Sequence, residues 1–235
     1  MGDIKALVFD VFGTVVDWRG SIIREVREIA RERHLRIDAP AFADAWRAGY
    51  RPAMDRVRSG ELAWTNIDGL HRRILDELIP RFGLDSLDES ERDRLNRVWH
   101  RLRPWPDAPG GLRRLKRRFV VATLSNGNVA LLVNMAKATK LPWDCILSAE
   151  LFGHYKPDAE VYLGAARLLG VSPAQTMMVA AHKDDLDAAA RAGLATAFVQ
   201  RPLEFGATGQ KDVAPEERFE VNARNFLDLA DQLGC

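Results

Sequence analysis

From residue 119 onward the apolar residues switch between two periods, and that alternation leaves few folds open to the chain. Short runs at 119–124, 145–147, 177–181 and 195–199 read as buried strands, while residues 128–138, 159–169 and 186–192 between them carry helical spacing. Gly193 follows the last of these in a C-cap position. Strands separated by helices pair in parallel, with right-handed crossovers that cover both faces of the sheet. An apolar run at 4–9 supplies one more strand. Between it and residue 103 the period is helical: Ile22, Val26, Ile29 and Ala30 share one stripe, Ile67, Leu70, Ile74, Leu75 and Leu78 a second, and Leu95, Val98, Trp99 and Leu102 a third. Pro104, Pro106, Pro109, Gly110 and Gly111 then interrupt helix and mark a boundary. The expected class is α/β: a three-layer, Rossmann-like core with a parallel sheet, formed by residues 1–17 and 104–235, and a helical cap, residues 18–103, inserted after the first strand.

Bulk properties set limits. The chain has 235 residues, 47% hydrophobic and 29% charged, enough for one core domain and a substantial insertion. A net charge of +1 gives no general reason to expect nucleic acid or an anionic membrane as partner. The one basic concentration, Arg113-Arg114-Leu115-Lys116-Arg117-Arg118, reads as the solvated face of a helix. Cys145 and Cys235 are too few to staple a fold, and Met1-Gly2-Asp3-Ile4-Lys5 runs straight into a core strand without room for a signal peptide. These features fit a reducing cytoplasm, and no apolar stretch has the length to span a bilayer.

Asp10 closes the first apolar run and opens Asp10-Val11-Phe12-Gly13-Thr14, so a lone carboxylate stands where a buried strand ends. Open parallel sheets place reactive groups at the carboxyl ends of their strands, and a carboxylate held there can act as a nucleophile. Three more motifs fall near predicted strand ends or helix starts: Leu124-Ser125-Asn126-Gly127, Tyr155-Lys156-Pro157-Asp158 and Ala181-His182-Lys183-Asp184-Asp185. Together, in this order, they resemble the haloacid dehalogenase superfamily, and the resemblance spans essentially the whole chain, helical cap included. Most members of that superfamily resemble magnesium phosphatases, with a second aspartate where this chain has Phe12 and a magnesium-binding aspartate where it has Ala181. Neither side chain can offer an oxygen to magnesium, so no metal and no cofactor is expected.

The pattern is similar to that of the type II 2-haloacid dehalogenases: an aspartate, an aromatic two residues on, Gly-Thr, then Ser-Asn, then Lys-Pro with Tyr162 six residues after Lys156. The cap pair Trp46-Arg47 resembles the one whose arginine faces the leaving halide. The resemblance implies hydrolysis of short 2-haloalkanoic acids, haloacetates among them, to 2-hydroxy acids through an ester on Asp10. It implies further that Thr14 fixes Asp10, that Asp185 orients or deprotonates the hydrolytic water with Lys156 compensating the two carboxylates, and that Ser125 and the amides of Val11 and Phe12 hold the substrate carboxylate. Arg47 and Asn126 would receive the halide. A homodimer is expected by similarity alone. A halide leaves as an anion and needs donors and a cation rather than a general acid, which agrees with an aromatic ring at Phe12.

Plainer readings stand beside each assignment. Asp184, Asp185 and Asp187 begin a helix, where carboxylates are favoured by capping and the macrodipole. Asp10 could cap its strand, Lys156 could pair with Asp158, and Arg47 could extend to water from a packing helix. His182 departs from the dehalogenase pattern: it assists the hydrolytic water, tightens the halide pocket in a way that would suit fluoride, or caps its loop. Two other functions stay open, a phosphohydrolase drawing magnesium onto Asp184 and Asp185, and a non-catalytic member of the fold that binds a partner through its cap groove.

Overall fold

A computed structural model describes residues 3–209 and 212–235; Met1 and Gly2 of the N-terminal reading lie outside the described residues. In chain order the elements are β1 (Ala6–Phe9), β2 (Val16–Asp17), α1 (Trp18–Glu32), α2 (Ala39–Arg58), α3 (Ile67–Arg81), α4 (Glu89–Asn96), β3 (Arg103–Pro104), α5 (Ala108–Leu115), β4 (Val120–Ser125), α6 (Val129–Thr139), β5 (Cys145–Ser148), α7 (Ala159–Leu168), β6 (Thr176–Ala180), α8 (Lys183–Arg191), β7 (Ala195–Val199), β8 (Val221–Ala223) and α9 (Phe226–Gln232). Six strands form one parallel sheet in the order β5-β4-β1-β6-β7-β8. Every residue of β1 and β6 is buried, because helices cover both faces. The chain leaves β1 toward β4 and β5 on one side and returns toward β6, β7 and β8 on the other, so the carboxyl end of β1 is the topological switch point where such sheets open a crevice. Asp10 stands there, its amide donating to the Val179 carbonyl of β6.

The helices α1 to α4 start on polar caps: Asp17 accepts from the Gly20 amide, Asp38 from Ala41, Asn66 from Gly69, and Asp88 forms a capping box with Glu91. Their apolar stripes pack on one another and on the 3₁₀ turn Arg97–Arg101. The ribbon β2–β3 pairs Val16 with Pro104 and Asp17 with Arg103, and it joins the segment leaving the sheet to the segment returning to it.

One expectation fails. Pro109, Gly110 and Gly111 do not interrupt helix; they lie in the first half of α5, where proline in the first turn lacks only an amide hydrogen that has no intrahelical partner anyway. Gly111 is needed there because a Cβ would overlap Phe226 of α9. The elements β8 and α9 had no counterpart in the sequence reading, being only three and seven residues long. The basic cluster is partly engaged: Arg114 pairs with Asp231, Lys116 with Asp144, and Arg118 donates to the Leu233 carbonyl.

Candidate active site

The two oxygens of Asp10 are treated differently. Oδ2 accepts the Thr14 hydroxyl at 2.7 Å and Nδ1 of His182 at 3.0 Å, whereas among the described residues Oδ1 accepts only the Lys156 ammonium at 3.1 Å. Thr14 is fixed in turn, its Oγ1 accepting the Ala181 amide and its carbonyl accepting from Arg201. Burial alone would favour the protonated acid at Asp10, but the Lys156 charge, with His182 and Thr14, holds the group far below the usual carboxylate range.

Lys156 bridges to a second carboxylate, Asp185, at 2.5 Å, and Asp185 also accepts the Tyr162 hydroxyl at 2.5 Å. Burial raises the Asp185 carboxyl, the Asp10 charge adds to that, and Lys156 opposes both. The two acids are thereby pushed apart, and Asp185 is the more basic. The side chain of Asn126, at the end of β4, accepts the Lys156 amide at 2.7 Å and so sets the loop that carries the ammonium.

His182 occupies the turn between β6 and α8. Its Nδ1 meets Asp10 at 3.0 Å and its Nε2 meets Oε1 of Glu204 at 2.9 Å, while Glu204 is fully buried and also accepts from Nε1 of Trp18. Both ring nitrogens face carboxylate oxygens, which only accept, so a neutral imidazole with one N–H would leave a lone pair against a lone pair. Two protons on the ring satisfy both contacts. Burial would depress this histidine, but the Glu204 and Asp10 carboxylates raise it to about 9. A folded value above the ordinary 6.5 means the contribution to stability is complete below pH 6.5 and is lost as the pH rises through about 9. Chemical denaturation across that interval should therefore show the wild type losing stability, and His182→Asn should lose less; parallel curves would show that the ring is not charged.

A cavity of about 260 Å³ opens above Asp10 and is lined by Phe12, Arg47, Tyr50, Met54, Asn126 and His182, among others. Arg47 contributes a guanidinium lying 4.5 Å from the Tyr50 ring, and its buried Nη1 has no hydrogen-bond partner among the described residues. Its neighbour Trp46 turns away, donating to the His71 carbonyl and packing on Phe42 and Trp99. Phe12 is buried edge-on against Tyr50 and Trp99.

The structure thus brings Asp10, Thr14, Lys156, Asp185 and His182 into one hydrogen-bonded array, with Phe12, Arg47 and Asn126 on its cavity. Ser125 is not on that wall: it is fully buried and its Oγ accepts the Gly127 amide at 3.1 Å. Val11 is likewise buried, its carbonyl accepting from Val15 and Val16. Asp184 is largely exposed and pairs with Arg51, so it and Asp185 are committed to different partners. Lys156 pairs with the two site acids; Asp158, its plainer partner in the sequence reading, pairs with Arg58. Among the described residues no group of three or more His, Cys, Asp or Glu side chains is placed to hold a metal ion. Glu204 and Trp18 went unrecognised as neighbours of the site, since nothing in the sequence links positions so far apart.

A doubly wound parallel sheet with an aspartate at the end of its central strand, under helices inserted just after that strand, defines the capped hydrolases of the haloacid dehalogenase type. The chain belongs to the haloacid dehalogenase-like hydrolase family, whose pattern matches residues 4–193. It is 31% identical to (S)-2-haloacid dehalogenase 4A of Burkholderia cepacia, over 97% of this chain and 98% of that protein. The crystal structure of an L-2-haloacid dehalogenase superimposes with a TM-score of 0.95 at 48% identity, covering 98% of this chain and 99% of the other. That of a defluorinating L-2-haloacid dehalogenase gives 0.95 at 44% identity, over 99% and 96% of the two chains.

Proposed function

We propose that this protein hydrolyses the carbon–halogen bond of short 2-haloalkanoic acids, haloacetates and fluoroacetate included, and releases 2-hydroxy acids. The observation that carries the reading is the pairing of one carboxylate oxygen, Oδ1 of Asp10, with a buried guanidinium nitrogen of Arg47 that has no partner among the described residues, on the same cavity. The first is a nucleophile with a free lone pair; the second is a cation able to receive an anion.

Oδ1 attacks C2 in line with the departing halide, which leaves toward Arg47. The resulting bond runs from Cγ of Asp10 through Oδ1 to C2. The amides of Val11 and Phe12 seat the substrate carboxylate, Ser125 supports that seat by accepting the Gly127 amide, and Asn126 joins Arg47 in receiving the halide. Asp185, the more basic acid, then takes a proton from water that attacks Cγ. On collapse the departing Oδ1 takes the proton left on the attacking oxygen and leaves as the new hydroxyl, Asp10 keeps the solvent oxygen as a carboxylate, and Asp185 returns its proton to solvent. Phe12 and Ala181 offer no side-chain oxygen to a magnesium ion beside Asp10, which supports a reaction without metal.

The reading extends to a homodimer in the cytoplasm. Exposed Leu151, Leu163 and Leu168 on neighbouring segments support self-association, and two unpaired cysteines suit a reducing compartment. No helix among the described residues is long and apolar enough to cross a membrane.

Turnover of chloroacetate and fluoroacetate in ¹⁸O-water tests the reading. Halide is expected in solution and ¹⁸O in the Asp10 peptide by mass spectrometry. Product carrying solvent oxygen in its first turnover, with none in Asp10, would replace the ester with direct attack by water.

A further inference from the structure

We propose that His182, held by Glu204, is the donor that stabilises the oxyanion formed on Oδ2 of Asp10 when water attacks the ester, and that it serves this second half of the reaction rather than halide departure. The inference rests on the ester route proposed above. Oδ2 already has two donors, the Thr14 hydroxyl at 2.7 Å and His182 Nδ1 at 3.0 Å, while Oδ1 has one. The oxygen with both in-plane positions filled is the poorer nucleophile, so Oδ1 attacks and Oδ2 becomes the ester carbonyl. Water bonding to Cγ pushes the carbonyl electron pair onto Oδ2, between two donors that are in place beforehand. Collapse restores the carbonyl and breaks the bond from Cγ to Oδ1; His182 keeps its protons throughout.

The same geometry sets the ring on the nucleophile's side of the reacting carbon. An in-line displacement expels halide from the far side of C2, and a group bonded to Asp10 itself lies on the near side. Glu204 is a positioning residue: it sits in the turn after β7, fully buried, and accepts Nε2–H at 2.9 Å, so that the opposite nitrogen presents its proton to Asp10. Gly13 makes room for it, since a Cβ there would overlap the Glu204 carboxylate.

Rapid-quench kinetics with (S)-2-chloropropionate on the wild type, His182→Ala and Glu204→Gln separate the two halves. His182→Ala, which leaves no donor at this place, is expected to release about one equivalent of chloride per site at close to the wild-type rate and then to slow by about 10²-fold, the loss typical of one oxyanion donor. Intact-protein mass should show the ester accumulating on Asp10. Glu204→Gln, which keeps the ring but removes the charge behind it, should accumulate the same adduct to a smaller extent, and it carries the test alone if His182→Ala does not fold. A chloride burst slowed as much as steady-state turnover, with no adduct, would overturn the inference and leave the proposed function standing. A wild type that releases no chloride would overturn both.

Discussion

Asp10→Asn is expected to release halide about 10⁵-fold more slowly than the wild type, as when a covalent nucleophile is removed elsewhere. The amide keeps the shape of the carboxylate and its carbonyl can still accept the Thr14 hydroxyl, so the fold should survive. Lys156 retains Asp185 at 2.5 Å, and His182 retains Glu204 at 2.9 Å. Loss of one charged acceptor between two buried cations should cost stability by about 1–3 kcal/mol. A halide electrode and a denaturant titration measure both. Activity within about tenfold of wild type would remove Asp10 from the chemistry.

The second large effect is on stability. Lys156→Met leaves the carboxylates of Asp10 and Asp185 buried without their shared cation, a change expected to cost about 3–5 kcal/mol at neutral pH and to abolish turnover. The pH dependence has a definite sign. In the wild type Asp10 is held below its ordinary value, so its contribution is present above the usual carboxylate range and is lost as the pH falls. In the variant both acids are pushed upward by burial and by each other, so protonation relieves it, and the deficit should shrink in acid. Adding Asp185→Asn to Lys156→Met should recover part of the loss, and the coupling read from the double-mutant cycle should be non-zero. A single variant as stable as the wild type at neutral pH would show that the triad contributes nothing to folding.

The strand ends were readable in the sequence because their signal is local. Asp10-Val11-Phe12-Gly13-Thr14 follows an apolar run, and Lys156 with Tyr162, and Asp185 at the start of α8, keep fixed spacings within one turn or helix. Arg47 could be placed on the cavity only through resemblance; the geometry adds that it is Arg47 and not Trp46 that faces the site. Ser125 was expected at the substrate carboxylate; a strand-end serine can turn toward substrate or toward its own loop, and here its Oγ accepts the Gly127 amide. Glu204 could not be read at all. It lies in a polar turn with no helical or strand period, and burial of its carboxylate depends on Trp18 and His182 arriving from distant parts of the chain. The α5 error has a similar origin, since Pro109 and Gly111 look like breakers until α9 is known to press against them.

The approach of Gly13 to Glu204 bears on engineering. Grafting histidine alone into a relative at the position of His182 would give a ring whose far nitrogen has no acid behind it, and a side chain at the position of Gly13 would bar that acid from entering. The three positions form one transplantable unit: a hydrolase redesigned to carry the imidazole must receive the glycine and the glutamate in the same step.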